Sequence, residues 1–100
     1  MENQHRKISG YRELISEEID LMNRIKAKGN EMLVLVAELQ GRLSTDHEVK
    51  QVAARNAGQS QATEEAVELR RFINAEPQRW AAIGKTDIQT GIMALVRAVA

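Results

Sequence analysis

Two short runs of cationic side chains and one tyrosine have the most chemistry to offer. Arg24, Lys26 and Lys28 fall within five positions, and His5, Arg6 and Lys7 form a second basic cluster near the start of the chain. Either run can hold a few phosphates, because ammonium and guanidinium groups make charge-assisted hydrogen bonds to phosphate oxygens. The plainer alternative is a solvated helical face balanced by Glu17, Glu18, Asp20 and Glu31. Tyr11 also reads in two ways. It is either a half-covered residue at a helix start or a ring on which a nucleobase stacks, a contact worth about 1 to 3 kcal/mol.

The chain offers much less for catalysis. A serine nucleophile needs a general base, and the two histidines, His5 and His47, are far in sequence from any serine set in a nucleophile elbow. His47 lies between Asp46 and Glu48, but neighbours on a helix point about 100° apart and do not converge on one metal. It is expected to be a solvated residue in a first helical turn. Gly84, Lys85 and Thr86 imitate the end of a phosphate-binding loop, yet the motif requires glycine at position 79, which is Arg79, and a preceding strand. The pairs Glu17/Glu18 and Glu64/Glu65 read as surface charge. The expectation is a binding protein with no catalytic residues, metal ligands or cofactor.

The elements that position these residues are constrained by composition. The chain has 100 residues, 43% of them hydrophobic, and its three aromatics are Tyr11, Phe72 and Trp80. That is one domain, residues 1–100, with a thin aliphatic core, and a compact fold of this size buries only about 60 to 65% of its unfolded surface. Association of subunits is expected to complete it. Zero net charge argues against long DNA as a partner. The absence of cysteine fits a reducing cytoplasm. The longest apolar run, 32–37, is far short of the roughly 20 residues that span a bilayer, and the polar, basic first ten residues do not resemble a signal peptide. A soluble intracellular protein with no membrane partner is expected.

Alanine, Glu, Lys, Arg and Gln dominate and only one proline occurs, which favours helix throughout. Tyr11, Ile15, Met22, Ile25, Gly29, Met32, Val36, Leu39 and Leu43 hold one heptad phase broken only at Glu18, a coiled-coil-like seam. Leu14, Leu21 and Leu35 beside it widen the apolar stripe beyond one partner helix. Ser9 is the expected N-cap of a helix running from Gly10 to Leu43, about 50 Å long. Thr45 with Glu48 reads as a capping box opening a second helical segment at Asp46, which stops near Asn56 to Gly58. A turn follows, and Thr63 caps the next helix, whose buried face is Ala66, Leu69, Phe72 and Ile73. Pro77 kinks or restarts that helix, with Trp80, Gly84, Ile88, Ile92, Leu95 and Val99 on the following face. The fold class is all-α: a long, kinked, antiparallel helical hairpin assembling into a helical homo-oligomer.

Against this background, His5 to Leu14 (HRKISGYREL), continued by Glu18 to Asn23 (EIDLMN) and Lys26, resembles the N-terminal hairpin of the phage anti-CBASS sponge proteins. The stretch from Arg79 to Ala98 is similar to the end common to such small phage proteins, and the two stretches cover about half the chain. CBASS is a bacterial immune system in which cyclic oligonucleotides switch on a killing effector, and the family sequesters those messengers without destroying them. The resemblance therefore implies a non-enzymatic binder of cyclic dinucleotides such as 3′,3′-cGAMP, and of cyclic trinucleotides, acting as a homohexamer in the host bacterial cytoplasm. Without it, a helical oligomerisation or protein-interaction module would rank first.

The family's dinucleotide-holding tyrosine and lysine fall on Tyr11 and Lys26. On one continuous helix these lie 15 residues apart, about 22 Å, against a ligand on the order of 10 Å across. One chain then cannot close both onto one ligand unless the helix breaks near Gly29 or earlier, which the heptad phase argues against, so the expected pocket is an interface between subunits. Arg70 is a weaker candidate for the same site. Arg6 and Lys7, on charge and position, are candidates for a trinucleotide site at a three-fold end.

Overall fold

The computed structural model describes residues 13–100. Three helices account for almost all of them: α1 (Ser16–Asn56), α2 (Glu64–Ala75) and α3 (Pro77–Val99). No strand occurs among the described residues. α1 is one arm of a hairpin. α2 and α3 together form the other, and both pack against α1. Contacts between the arms run in opposite numerical order, Gly29 with Ile92, Gln40 with Gln78 and Lys50 with Glu68, so the arms are antiparallel. The molecule measures 76 × 19 × 13 Å. Its radius of gyration, 22.8 Å, compares with about 13 Å for a compact domain of this length. No described helix is long and apolar enough to cross a membrane.

Local chemistry accounts for most boundaries. Thr63 adopts extended backbone and its hydroxyl accepts from the Ala66 amide at 3.1 Å, with Glu64 and Glu65 in the first turn where the helix dipole favours negative charge. α2 stops because Pro77 has no amide hydrogen to continue it. Glu76 turns left-handed (φ 50°), and its carbonyl accepts from the amides of Arg79 and Trp80 as α3 restarts at Pro77.

Two helix limits differ from expectation. α1 does not end near Leu43, and no helix starts at Asp46. It is continuous for 41 residues, about 61 Å, to Asn56. Thr45 sits inside it and donates its hydroxyl to the Gly41 carbonyl at 3.2 Å, a back-bond that removes the need for a cap. At the other end Glu13, Leu14 and Ile15 are not helical, so α1 starts at Ser16 rather than Gly10. The Glu18 carboxylate there accepts from the Ile15 amide at 3.1 Å, supplying the acidic half of a capping box. The expected cap Ser9 lies outside the described residues.

The seam also departs from its expected phase. Glu18, Met22, Ile25, Gly29, Leu33, Val36, Gln40, Leu43, His47, Lys50 and Ala54 of α1 form a covered row, with Asp46 and Ala53 also covered beside it. The row advances 36 residues in ten steps, 3.6 per step, which is the period of a straight helix. A heptad register drifts from that period by about 20° per repeat. Past Gly29 the heptad positions Met32 and Leu39 are therefore turned outward, 50% and 48% exposed, and Ile15 is exposed as well. On the other arm Ala66, Leu69 and Phe72 are covered, whereas Ile73, 48% exposed, borders the grooves between the arms. On α3, Pro77, Ala81, Gly84, Ile88, Gly91, Ile92, Val96 and Val99 are the covered positions, whereas Trp80 (60% exposed) and Leu95 are not.

Among the described residues, Ala66 and Ala81 are the only buried apolar side chains in this thin seam, and neither is fully shielded. The tightest approach is at Gly29, where an added Cβ would stand 2.5 Å from Ile92 Cγ1 and nearer still to Cδ1. The Ile92 side chain occupies the space a larger residue would need. The hairpin has two unlike flanks. Antiparallel helices bring side chains displaced in the same rotational sense from the seam out on the same side. Leu21, Met32, Leu35 and Leu39 of α1 thus join Trp80 and Ile83 of α3 in one exposed apolar flank. The opposite flank is mainly polar and carries Asn23, Lys26, Asn30 and Ser44 with Gln78, Lys85 and Gln89, interrupted by Ile19.

Candidate functional site

The three cations of the Arg24–Lys28 run are no longer equivalent in the folded chain. Arg24 pairs with Asp20 at 3.0 Å, one turn away, and Lys28 with Glu31 at 3.4 Å. Lys26 is exposed and has no carboxylate partner among the described residues. Helix geometry is the cause: its neighbours at three and four positions are Met22, Asn23, Gly29 and Asn30, none of them acidic. A cation on a rigid arm without a local counter-charge is ready for an external anion. That spacing could have been read from the sequence alone.

The remaining candidates lie elsewhere. Arg70 is exposed on α2, donates to the Gln61 side chain at 2.9 Å, and lines a groove of about 410 Å³ with Gln51, Arg55, Ser60 and Leu69. The α1 side of that groove is 25 residues, about 37 Å, from Lys26, so one chain does not bring Lys26 and Arg70 together. Tyr11, Arg6 and Lys7 lie outside the described residues. Residues 13–15 are not helical, so the 22 Å spacing of a continuous helix no longer holds as a reason for two subunits. Gly84, Lys85 and Thr86 are interior residues of α3, not a loop.

The closed end carries features that sequence reasoning missed. Glu68 accepts both Nε (2.8 Å) and a terminal nitrogen (2.6 Å) of Arg71, and Lys50 reaches it from α1 at 3.1 Å. The Arg71 hydrogen bonds first, then Lys50, hold the Glu68 carboxyl down at about 2, against an ordinary 4.5; Arg71 is raised in return. His47 is not a solvated first-turn residue but half-buried in mid-helix. Its ring lies 5.7 Å from that of Phe72, and its Nε2 is buried without a hydrogen-bond partner. The groove there, about 380 Å³, is lined by Leu43, His47, Phe72, Ile73, Pro77 and Gln78, and it stands well away from Lys26.

Residues 5–100 match the model of the Acb2/Tad1 hairpin domain. The chain belongs to this hairpin family. Among its relatives is a protein named Anti-CBASS protein 2, from Pseudomonas phage JBD67, 66% identical over 103 residues, an alignment that covers all of this chain and 95% of that protein. The resemblance read from His5–Leu14 and the C-terminal stretch is borne out, as is the all-helical hairpin.

Proposed function

We propose that this chain is a phage immune-evasion protein that sequesters cyclic dinucleotides such as 3′,3′-cGAMP, the messengers of CBASS, without cleaving them. The similarity at 66% identity over the whole chain to Anti-CBASS protein 2 carries this reading. The uncompensated charge of Lys26 supports it: a dianionic ligand leaving water needs cationic donors that are not already satisfied. In this reading Lys26 meets a phosphate and Tyr11 stacks on a base. Arg70 is a further contact, and Arg6 and Lys7 serve a separate cyclic trinucleotide site.

The pocket lies between subunits of a homohexamer in the host cytoplasm. Two observations support an interface. Lys26 is exposed on the polar flank and lines none of the grooves described above. The apolar flank from Leu21 to Ile83 also leaves several large side chains in water, more than a chain with two buried apolar residues comfortably carries. A two-fold contact suits a ligand that is itself nearly two-fold symmetric.

The test is to mix the protein with 3′,3′-cGAMP, denature the complex, and assay the nucleotide released. Intact nucleotide is expected. Cleaved product makes the protein an enzyme, and no uptake leaves an interaction module built on the apolar flank. Lys26→Ala is expected to abolish uptake while leaving the mass of the assembly and the melting temperature unchanged, since no described residue depends on that ammonium. Undiminished binding in the variant removes Lys26 from the site.

A further inference from the structure

We infer that Asn23 and Asn30, one turn before and one turn after Lys26, read the base edges of the bound nucleotide and set which cyclic dinucleotide the chain prefers. This rests on the ligand class proposed above and adds the residues that discriminate within it. Lys26 offers a point charge to a phosphate, the part all such ligands share, so it cannot distinguish bases. A carboxamide can. It presents a donor and an acceptor in one plane, the pattern found on purine edges, which asparagine pairs with bidentately.

The placement of the two side chains supports this role. Asn23, Lys26 and Asn30 follow at steps of three and four on the polar flank, all exposed, spanning seven residues or about 10 Å, which matches the size of one cyclic dinucleotide. Neither amide has a hydrogen-bond partner among the described residues, and no ion pair crosses the strip. Asparagine is among the poorer helix formers, because its side chain competes for backbone hydrogen bonds. Elsewhere in the described chain the sequence uses it accordingly: Asn56 closes α1, and Asn74 sits in the last turn of α2. The two helix-interior asparagines are those on either side of Lys26. At such exposed positions Glu, Gln, Lys or Ala would favour the helix more, so folding does not account for the choice.

The experiment is calorimetric titration of the full-length chain and its Asn23→Ala, Asn30→Ala and Lys26→Ala variants with 3′,3′-cGAMP, cyclic di-AMP and cyclic di-GMP, with a melting curve for each protein. The asparagine variants are expected to lose about tenfold or more in affinity for the preferred nucleotide, to narrow the spread among the three ligands, and to melt at the same or a higher temperature. Lys26→Ala should weaken all three alike. If the asparagine variants keep the wild-type affinities and ranking while Lys26→Ala loses binding, the asparagine assignment fails and the proposed function stands. Uniform weakening accompanied by a lower melting temperature makes the asparagines structural and overturns the assignment. Absence of binding by the wild-type chain removes both.

Discussion

The two ends of the hairpin hold together by different means. Near the turn, the arms are joined by directional side-chain bonds: Lys50 on Glu68, which Arg71 of the same helix also holds, Gln78 reaching the Gln40 carbonyl (2.9 Å) and the Ser44 hydroxyl (3.2 Å), and Phe72 against His47 with the Lys50 ammonium 5.6 Å from its ring. Toward the open end no such bond between the arms occurs among the described residues away from the chain termini. Close packing joins them there, with Ile92 seated on Gly29 and small residues Gly84 and Gly91 along α3. The closed end needs no partner to fix its register. The open half carries Lys26 and most of the exposed apolar side chains, and it gains most from a second subunit. A region whose polar groups remain unsatisfied is where a ligand or another chain finds hydrogen bonds and area to win.

The sharpest way to break this contrast is Gly29→Val. Its Cβ and two methyl groups would enter the volume of Ile92 Cγ1 and Cδ1, and a branched side chain in a helix has little χ1 freedom to avoid them. A loss of more than about 2 kcal/mol is expected, read as a lower midpoint in urea unfolding. Amide exchange should accelerate most around residues 20–35 and 88–96. If the closed end is held independently, protection around Lys50 and Glu68 should fall less. An unchanged midpoint would mean that the open half is not packed through Gly29 in solution.

How much of this was legible in the sequence depends on how local each signal is. Thr63, Pro77 and the break after Asn56 act through their own backbone neighbours, and all three stood where expected. Thr45 with Glu48 was equally local yet misleading, because a threonine hydroxyl is satisfied as well by the carbonyl four residues back as by a helix start. Of the expected seam, Met22, Ile25, Gly29, Val36 and Leu43 are covered, whereas Ile15, Met32 and Leu39 are exposed, since choosing Leu33 over Met32 requires knowing that the helix runs straight. Trp80 looked like core by size and spacing and is outside. Within the Arg24–Lys28 run, acid spacing alone sets Lys26 apart from Arg24 and Lys28, which have Asp20 and Glu31 within one turn. The burial of His47 depends on Phe72, 25 positions away, and no local pattern signals it.

A smaller effect, of opposite sign, is expected at Gly41. It lies on the same helix as Gly29, but an added Cβ there meets nothing within 4 Å. Gly41→Ala removes backbone freedom from the unfolded chain without a clash and should stabilise the protein by about 1 kcal/mol, raising the urea midpoint with an unchanged slope. Comparable responses at the two positions would show that neither is a contact site. Opposite signs place the packing constraint at Ile92 and not in any general need of α1 for glycine.

Acidification tests the closed end most gently, because Glu68, Lys50 and Arg71 stand in partial contact with water and the network is weakened by solvent. The Glu68 carboxyl is held at about 2 in the folded chain by Arg71 and then Lys50, against 4.5 for an unperturbed carboxyl. A depressed folded value means that the unfolded chain binds the proton first. The contribution is complete above pH 4.5 and is lost as pH falls from there toward 2. Other carboxylates titrate over the same range, so the informative quantity is the difference in melting temperature between the wild type and Glu68→Gln. At pH 7 the variant should melt lower. The gap should narrow steadily below pH 4.5 and be nearly closed near pH 2, where the carboxyl is protonated in the unfolded chain and half protonated in the folded one. A gap that stays constant with pH would assign the effect of the substitution to packing against α1 and remove the ion network as what distinguishes the two ends.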